Sequence, residues 1–263
     1  MMELEQLNWS QPLDDFTAFQ VTRGNVNARN PYSQYNLCDY TGDDALRVLN
    51  ARIELCMQLG IDLDHLVMPR QVHGTKVTII DDNYFQADIT QQEDMLNGVD
   101  ALITNLPDVC IGVNTADCVN IALCDPSTGV IAIAHAGWKG AAAHIARKTV
   151  EAMTKIGASL RHIHAVMGAS ICHDCFEVGD EVVDAFAKQK HDVSRIMKRN
   201  ATTGKAHIDL RKACTLDMHA AGINPDYITE MGTCTRCQPD RYFSARRLGI
   251  DSGRTFTGIL RHH

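Results

Sequence analysis

Two side chains carry the first suggestion of chemistry, Cys118 and His135. They flank Asp125-Pro126-Ser127-Thr128-Gly129, a turn in which proline fixes φ and glycine accepts positive φ. The apolar, β-leaning runs on either side, residues 118–124 and 130–135, are predicted to pair as an antiparallel hairpin. A four-residue loop pairs Asp125 with Val130 and sets His135 opposite Asn120, with Cys118 one diagonal step away on the same face. A two-residue loop sets Cys118 directly opposite His135. Both registers keep the side chains within roughly 5–8 Å, close enough to share an ion; a slip of one residue sends them to opposite faces. A third donor has to come from elsewhere, and His73 in Gln71-Val72-His73-Gly74 is the best candidate. Two imidazoles and a thiolate form a catalytic zinc set that leaves a fourth position for water, whose pKa the metal lowers to about 7. Spacing alone leaves plainer readings open. A cysteine in an apolar strand is most often a small core residue, and nothing in the sequence links His73 to the hairpin.

Other residues compete for attention. Gly137-Trp138-Lys139-Gly140 opens a helix whose first N–H groups, helped by Lys139, can hold an anion. Arg70 stands three residues before His73, and Arg236, Arg241, Arg246, Arg247 and Arg254 cluster near the C-terminus. Guanidinium forks suit phosphate or carboxylate, although solvated charge is the ordinary role of such residues. Two Cys-x-x-Cys pairs occur, Cys172/Cys175 and Cys234/Cys237. Their separation is far longer than the ~15–20 residues of common zinc ribbons. They are therefore expected to be mostly unliganded thiols, with a shared structural zinc as the minority reading. Cys38, Cys56, Cys110, Cys124 and Cys214 read as core or surface thiols without partners.

The elements that must position these groups follow from composition and pattern. The chain has 263 residues, 45% hydrophobic and 22% charged, with 10 cysteines and 12 histidines. That is ordinary globular composition, long enough to bury a core without disulfides. A net charge of −7 argues against binding nucleic acid or anionic membranes. The N-terminus lacks the basic start and apolar run of a signal peptide, and no stretch approaches the ~18 apolar residues of a membrane span. The expectation is a cytoplasmic protein, monomeric by default. Strands are predicted at 16–22, 67–68, 76–80, 101–104, 109–114, 118–124, 130–135, 164–167, 227–231 and 255–259. Helices are predicted at 45–59, closed by Gly60, and at 141–156, 180–188 and 210–221. Residues 81–98 read as polar loop. Strands and helices are interspersed without strict alternation, which favours a mixed sheet with helical layers, and no composition shift marks a boundary. Residues 1–263 are read as a single domain.

Taken in order, Arg70-Gln71-Val72-His73-Gly74, Asp100-Ala101-Leu102-Ile103-Thr104, Thr115-Ala116-Asp117-Cys118, Ala134-His135-Ala136-Gly137-Trp138-Lys139-Gly140 and Phe243-Ser244-Ala245-Arg246-Arg247 resemble the bacterial YfiH family. That family is also called the laccase-domain, multicopper polyphenol oxidoreductase or purine nucleoside phosphorylase family, and it includes the peptidoglycan editing factor. The resemblance implies a single-domain α/β fold with a mixed β-sandwich core flanked by helices. It implies that His73, Cys118 and His135 bind zinc at the active site. The implied activities are phosphorolysis of adenosine, inosine and methylthioadenosine, and deamination of adenosine, with small-molecule nucleoside and phosphate as partners. Copper-dependent polyphenol oxidation is attached to the family as well, but twelve scattered histidines do not suggest a multicopper site. For the zinc reading, Asp117 is the nearest carboxylate for acid–base work, and Arg70, Lys139, Arg246 and Arg247 are the candidate phosphate ligands. A rival uses Cys118 as nucleophile and His135 as base in a metal-free amidase or hydrolase acting on peptidoglycan precursors. A non-enzymatic role in cell-wall quality control is a further reading. The chain departs from the family pattern at Asn120 and Ala169, where proline is usual, at Ala245, where tyrosine is usual, and in Thr22-Arg23-Gly24-Asn25-Val26, where a glycine pair is usual.

Overall fold

The structure is a computed structural model that describes residues 1–26 and 30–262. Two mixed sheets stack face to face, with helices on both outer sides. The first sheet has six strands in the order Ile228–Glu230, His164–Met167, Val119–Asp125, Val130–Ala136, Ala101–Thr104 and Val77–Ile79. The second has five, in the order Leu4–Gln6, Phe16–Val21, Thr255–Arg261, Cys110–Thr115 and Leu66–Val67. A small three-stranded sheet of Glu177–Val178, Ala206–Ile208 and Met197–Arg199 stands apart.

Period-two alternation builds the layers. In the central strand, Ile121 and Leu123 pack under Ile145, Val150, Met153 and Met218 of the helices Ile145–Lys155 and Leu210–Ala220. Ala122 and Cys124 face the other way, into the layer shared with Ala18, Ile111, Val113 and Ile259 of the second sheet. The outer face of that sheet, through Phe19, Val21 and Phe256, takes Ala51, Leu55 and Cys56 of the helix Ala45–Leu59. This helix begins where Asp44 accepts from Arg47 N and ends at Gly60, whose φ of 69° is the left-handed cap that favours glycine. The result is a mixed β-sandwich core flanked by helices.

The hairpin has the four-residue-loop register: Asp125 pairs with Val130 and Asn120 with His135. Asp125 fastens the turn by accepting from Ser127 N at 2.8 Å and from Ser159 N at 2.6 Å. Two expectations are corrected. Residues 81–98 are not a loop but contain the helices Asp82–Gln86 and Ile89–Leu96. Asp81 and Asp88 start these helices as side-chain caps, with a full capping box between Asp88 and Gln91. The single helix expected over 141–156 is two, Trp138–Ala142 and Ile145–Lys155, broken where His144 takes a φ of 64°. Its imidazole is held there by Asp217 at 2.8 Å and by the carbonyl of Gln189 at 2.9 Å.

Candidate metal centre

Strand parity places His135 on the inter-sheet face, in line with Ile131 and Ile133. It stands one residue before the strand's end at Ala136. Asn120 lies opposite on one neighbour. On the other neighbour the pairing Ala101 with Ala134 runs on to Asp100, whose carbonyl accepts from His135 N at 2.8 Å. Asp100 is fully buried, and its carboxylate organises the site. Oδ1 accepts from His135 Nδ1 at 2.8 Å and from His73 N at 3.0 Å. Oδ2 accepts from Gly74 N at 2.6 Å and Val72 N at 3.4 Å. Three successive amides thus wrap one carboxylate, a nest that His73 closes with a φ of 62°. A left-handed non-glycine residue costs on the order of 1–3 kcal/mol and persists where its surroundings over-determine it. This is the physical link that carries His73 to the hairpin.

The donor atoms of His73, Cys118 and His135 all lie within 4.8 Å of one another, and the two imidazoles meet edge to face with centroids 4.7 Å apart. Gly137 leaves the room for this. A Cβ there would stand 2.5 Å from His73 Cδ2, 3.2 Å from Cys118 Sγ and 3.4 Å from His135 Nε2. His135 is buried, Cys118 half-buried and His73 exposed, so the trio is reached from the His73 side. Because Asp100 occupies His135 Nδ1, Nε2 is the nitrogen turned to the trio. Burial by itself pushes the Cys118 thiol up, but the His135 charge and hydrogen bonds from both imidazoles outweigh it and bring the pKa to about 6. Burial likewise disfavours charge on His135, yet the Cys118 thiolate and Asp100 raise it to about 9. These opposite shifts favour a thiolate facing an imidazolium. A metal held by the trio at neutral pH would displace the imidazolium proton.

The other expected site residues do not gather at one point. Asp117, in the left-handed region at φ 81°, has both carboxylate oxygens engaged, Oδ1 by Thr235 Oγ1 at 2.6 Å and Oδ2 by Arg246 N at 2.7 Å. Arg246 turns its guanidinium to the Glu177 carbonyl at 2.9 Å and over the Phe176 ring. Lys139 lies exposed over the Trp138 ring, and Arg247 is exposed. Arg70 lines an open cleft of about 1120 Å³ with Tyr40, Met68, Tyr84 and Asn114, but also with Asp62, Asp64, Glu93 and Asp94, carboxylates that repel phosphate. Cys172, Cys175, Cys234 and Cys237 have all four sulfurs within 4.8 Å of one another, so the two pairs come together although 58 residues separate them in sequence. Sequence reasoning missed Asp100 as a site residue. Its signal was a carboxylate at the head of a buried strand.

With this geometry in view, the relatives can be placed. Residues 17–262 match the family model of the multi-copper polyphenol oxidoreductase laccases. The chain belongs to this laccase family. A protein named adenosine deaminase RL5, from an unknown prokaryotic organism, is 55% identical over 99% of this chain and 100% of its own length. A purine nucleoside phosphorylase of Bacteroides thetaiotaomicron is 40% identical over 93% of this chain and 91% of its own. Among solved structures of the family, YlmD from Geobacillus stearothermophilus superimposes with a TM-score of 0.86 at 30% identity, covering 95% of this chain and 93% of that one. Bacillus licheniformis YfiH gives 0.86 at 27% identity, covering 94% and 92%. The laccase-family fold is therefore the mixed α/β sandwich expected from the motif order.

Proposed function

We propose that the chain is a zinc-dependent enzyme of purine nucleosides, deaminating adenosine and cleaving adenosine, inosine or methylthioadenosine with phosphate. The observation that carries this is the convergence of His73, Cys118 and His135 around Gly137, in a chain 55% identical to an adenosine deaminase. The donors fit the metal: two imidazoles and a low-pKa thiolate are a borderline-soft set with one position left over. The space a Cβ at Gly137 would fill is kept clear among them. Bound there, zinc supplies Lewis acidity to whatever lies against it.

The remaining work belongs to the chain. Asp100 keeps the proton on His135 Nδ1 and so keeps Nε2 a donor to the ion. The nest around the same carboxylate fixes the His73 loop. We assign Asp117 a positioning role, since both its oxygens brace the segment that leads into Cys118. For phosphorolysis, Lys139 and Arg247 are the exposed cations left for phosphate. Free nucleoside and phosphate are the partners in this reading, without nucleic acid or membrane, and a monomer suffices.

The test is turnover of adenosine to inosine, and of inosine with phosphate to base and ribose phosphate, alongside metal content. Cys118→Ala is expected to lose the metal of the His73–Cys118–His135 trio and both activities; a Cys118→Ala protein without that metal that still turns over nucleoside sinks the reading. One observation favours a second reading. The metal-free Cys118 thiolate beside protonated His135 resembles a cysteine hydrolase dyad. Chelation separates the two, because it abolishes the zinc activity and leaves a thiolate nucleophile working.

A further inference from the structure

We propose that Cys172, Cys175, Cys234 and Cys237 form a second metal centre, a structural tetrathiolate site for a zinc-class divalent cation. Each pair is folded by a tight turn. Cys175 N and Phe176 N donate to the Cys172 carbonyl, and Gln238 N donates to the Cys234 carbonyl, which turns both thiols of a pair to one side. A parallel bridge between Ser170 and Cys234, with Thr235 N donating to the Ser170 carbonyl, brings the two turns together. The distances suit a shared ion. Cys175 Sγ and Cys237 Sγ are 3.5 Å apart, too far for an S–S bond of about 2.05 Å. They are close to the roughly 3.8 Å edge of a tetrahedron with zinc–sulfur bonds of about 2.3 Å.

Two donors point at these sulfurs. Cys172 N donates to Cys234 Sγ at 3.3 Å and Arg236 Nη1 to Cys175 Sγ at 3.4 Å, bonds of the kind that orient metal-bound sulfur and offset its charge. Four thiolates complete a tetrahedral shell and leave no position for substrate, the mark of a structural rather than a catalytic zinc. Binding Zn²⁺ to four thiols forms four zinc–sulfur bonds and releases four protons to solvent. The place matters as well. Thr235, inside the second pair, donates to Asp117 Oδ1, and Ile171, beside the first, donates to the Asp117 carbonyl. The centre therefore anchors the residue that precedes Cys118.

The test is metal stoichiometry of the full chain, purified without oxygen after growth with zinc. Wild type is expected to carry two zinc ions per chain. Cys118→Ala should carry one, and the Cys234→Ser/Cys237→Ser double variant one. Cobalt added to metal-free Cys118→Ala protein should give the intense visible absorption of a tetrahedral tetrathiolate. That spectrum alone decides if the double variant fails to fold. The proposal is overturned if Cys118→Ala protein gives no such spectrum, if the double variant keeps both ions, or if the anaerobic protein holds a disulfide within the four thiols and no second equivalent of metal. Failure of the trio to hold metal would show separately, as equal metal content in wild type and Cys118→Ala.

Discussion

Asp100 shows how much one buried side chain can decide. Its two oxygens take four N–H groups, three from the His73 loop and one from the His135 ring. Burial alone would raise its pKa, yet these bonds and the His135 charge hold the carboxyl below its usual value. Asn has the same shape but only one acceptor oxygen and no charge. Asp100→Asn therefore has to drop some of the amides or release the Nδ1 proton that orients His135. Partners of this kind are worth about 10–100-fold in metal affinity or activity. The variant is expected to lose affinity in that range when titrated against a chromophoric chelator, while keeping its far-UV circular dichroism. Unchanged affinity would show that Asp100 only supports the fold. Cys118 and His135 could be read from the hairpin, and His73 joined them as a candidate that the family resemblance implied. Asp100 could not, because its role depends on Ala101–Thr104 pairing beside Val130–Ala136, a contact between distant segments.

At the scale of elements, legibility followed locality. The hairpin was written in five turn residues, since proline, glycine and the Asp125 side chain act within the turn they make, while its register stood between two loop lengths until the pairing of Asp125 with Val130 decided it. The helices at 82–86 and 89–96 escaped because they are short and polar, so the caps define them more than periodicity does. The break at His144 escaped because a distant Asp217 holds it. Two departures from the family pattern turn out to be one feature. Asn120 Nδ2 donates to the Ala169 carbonyl at 3.1 Å, and its Oδ1 accepts from Gly168 N at 3.0 Å. Ala169 N in turn donates to Gln20 Oε1 at 2.8 Å, a bond that proline at 169 has no proton to make. Asn120 and Ala169 thus exchange two proline positions for a polar tie between the sheets. Asp125 offers the sharper test. Burial would raise its carboxyl, but Ser127 and Ser159 keep it below the usual value. A depressed folded pKa gives stability that is present above the unfolded pKa of about 3.9 and fades as pH falls through the folded value. Asp125→Asn should cost about 1–3 kcal/mol in urea unfolding at pH 7, and the gap to wild type should shrink below about pH 4. A gap independent of pH would mean that the charge plays no part.

The whole molecule places its chemistry where its regular structure ends. The sandwich layers are packed mainly from aliphatic side chains, and such a core needs no metal. Residues 168–178 and 231–247 are largely irregular, yet they brace Asp117 beside Cys118. No local pattern announces that arrangement. It arises from pairings such as Thr255–Arg261 lying between Phe16–Val21 and Cys110–Thr115, and from thiols that meet across 62 residues of chain. With both proposed sites filled, the two ions should leave in distinct ways. A mild chelator should take the metal of the trio, reached from its His73 side, first, with activity lost and thermal stability nearly unchanged. Stripping the tetrathiolate ion with a thiol-seeking mercurial should lower Tm. It should also speed amide hydrogen exchange in 168–178 and 231–247, while Val119–Asp125 and Val130–Ala136 stay protected, since local opening follows loss of local constraints. Mass-resolved hydrogen exchange on wild type and on Cys118→Ala reads both steps. Uniform acceleration across the sheets, or none in the two irregular segments, would show that the second centre does not hold these segments together.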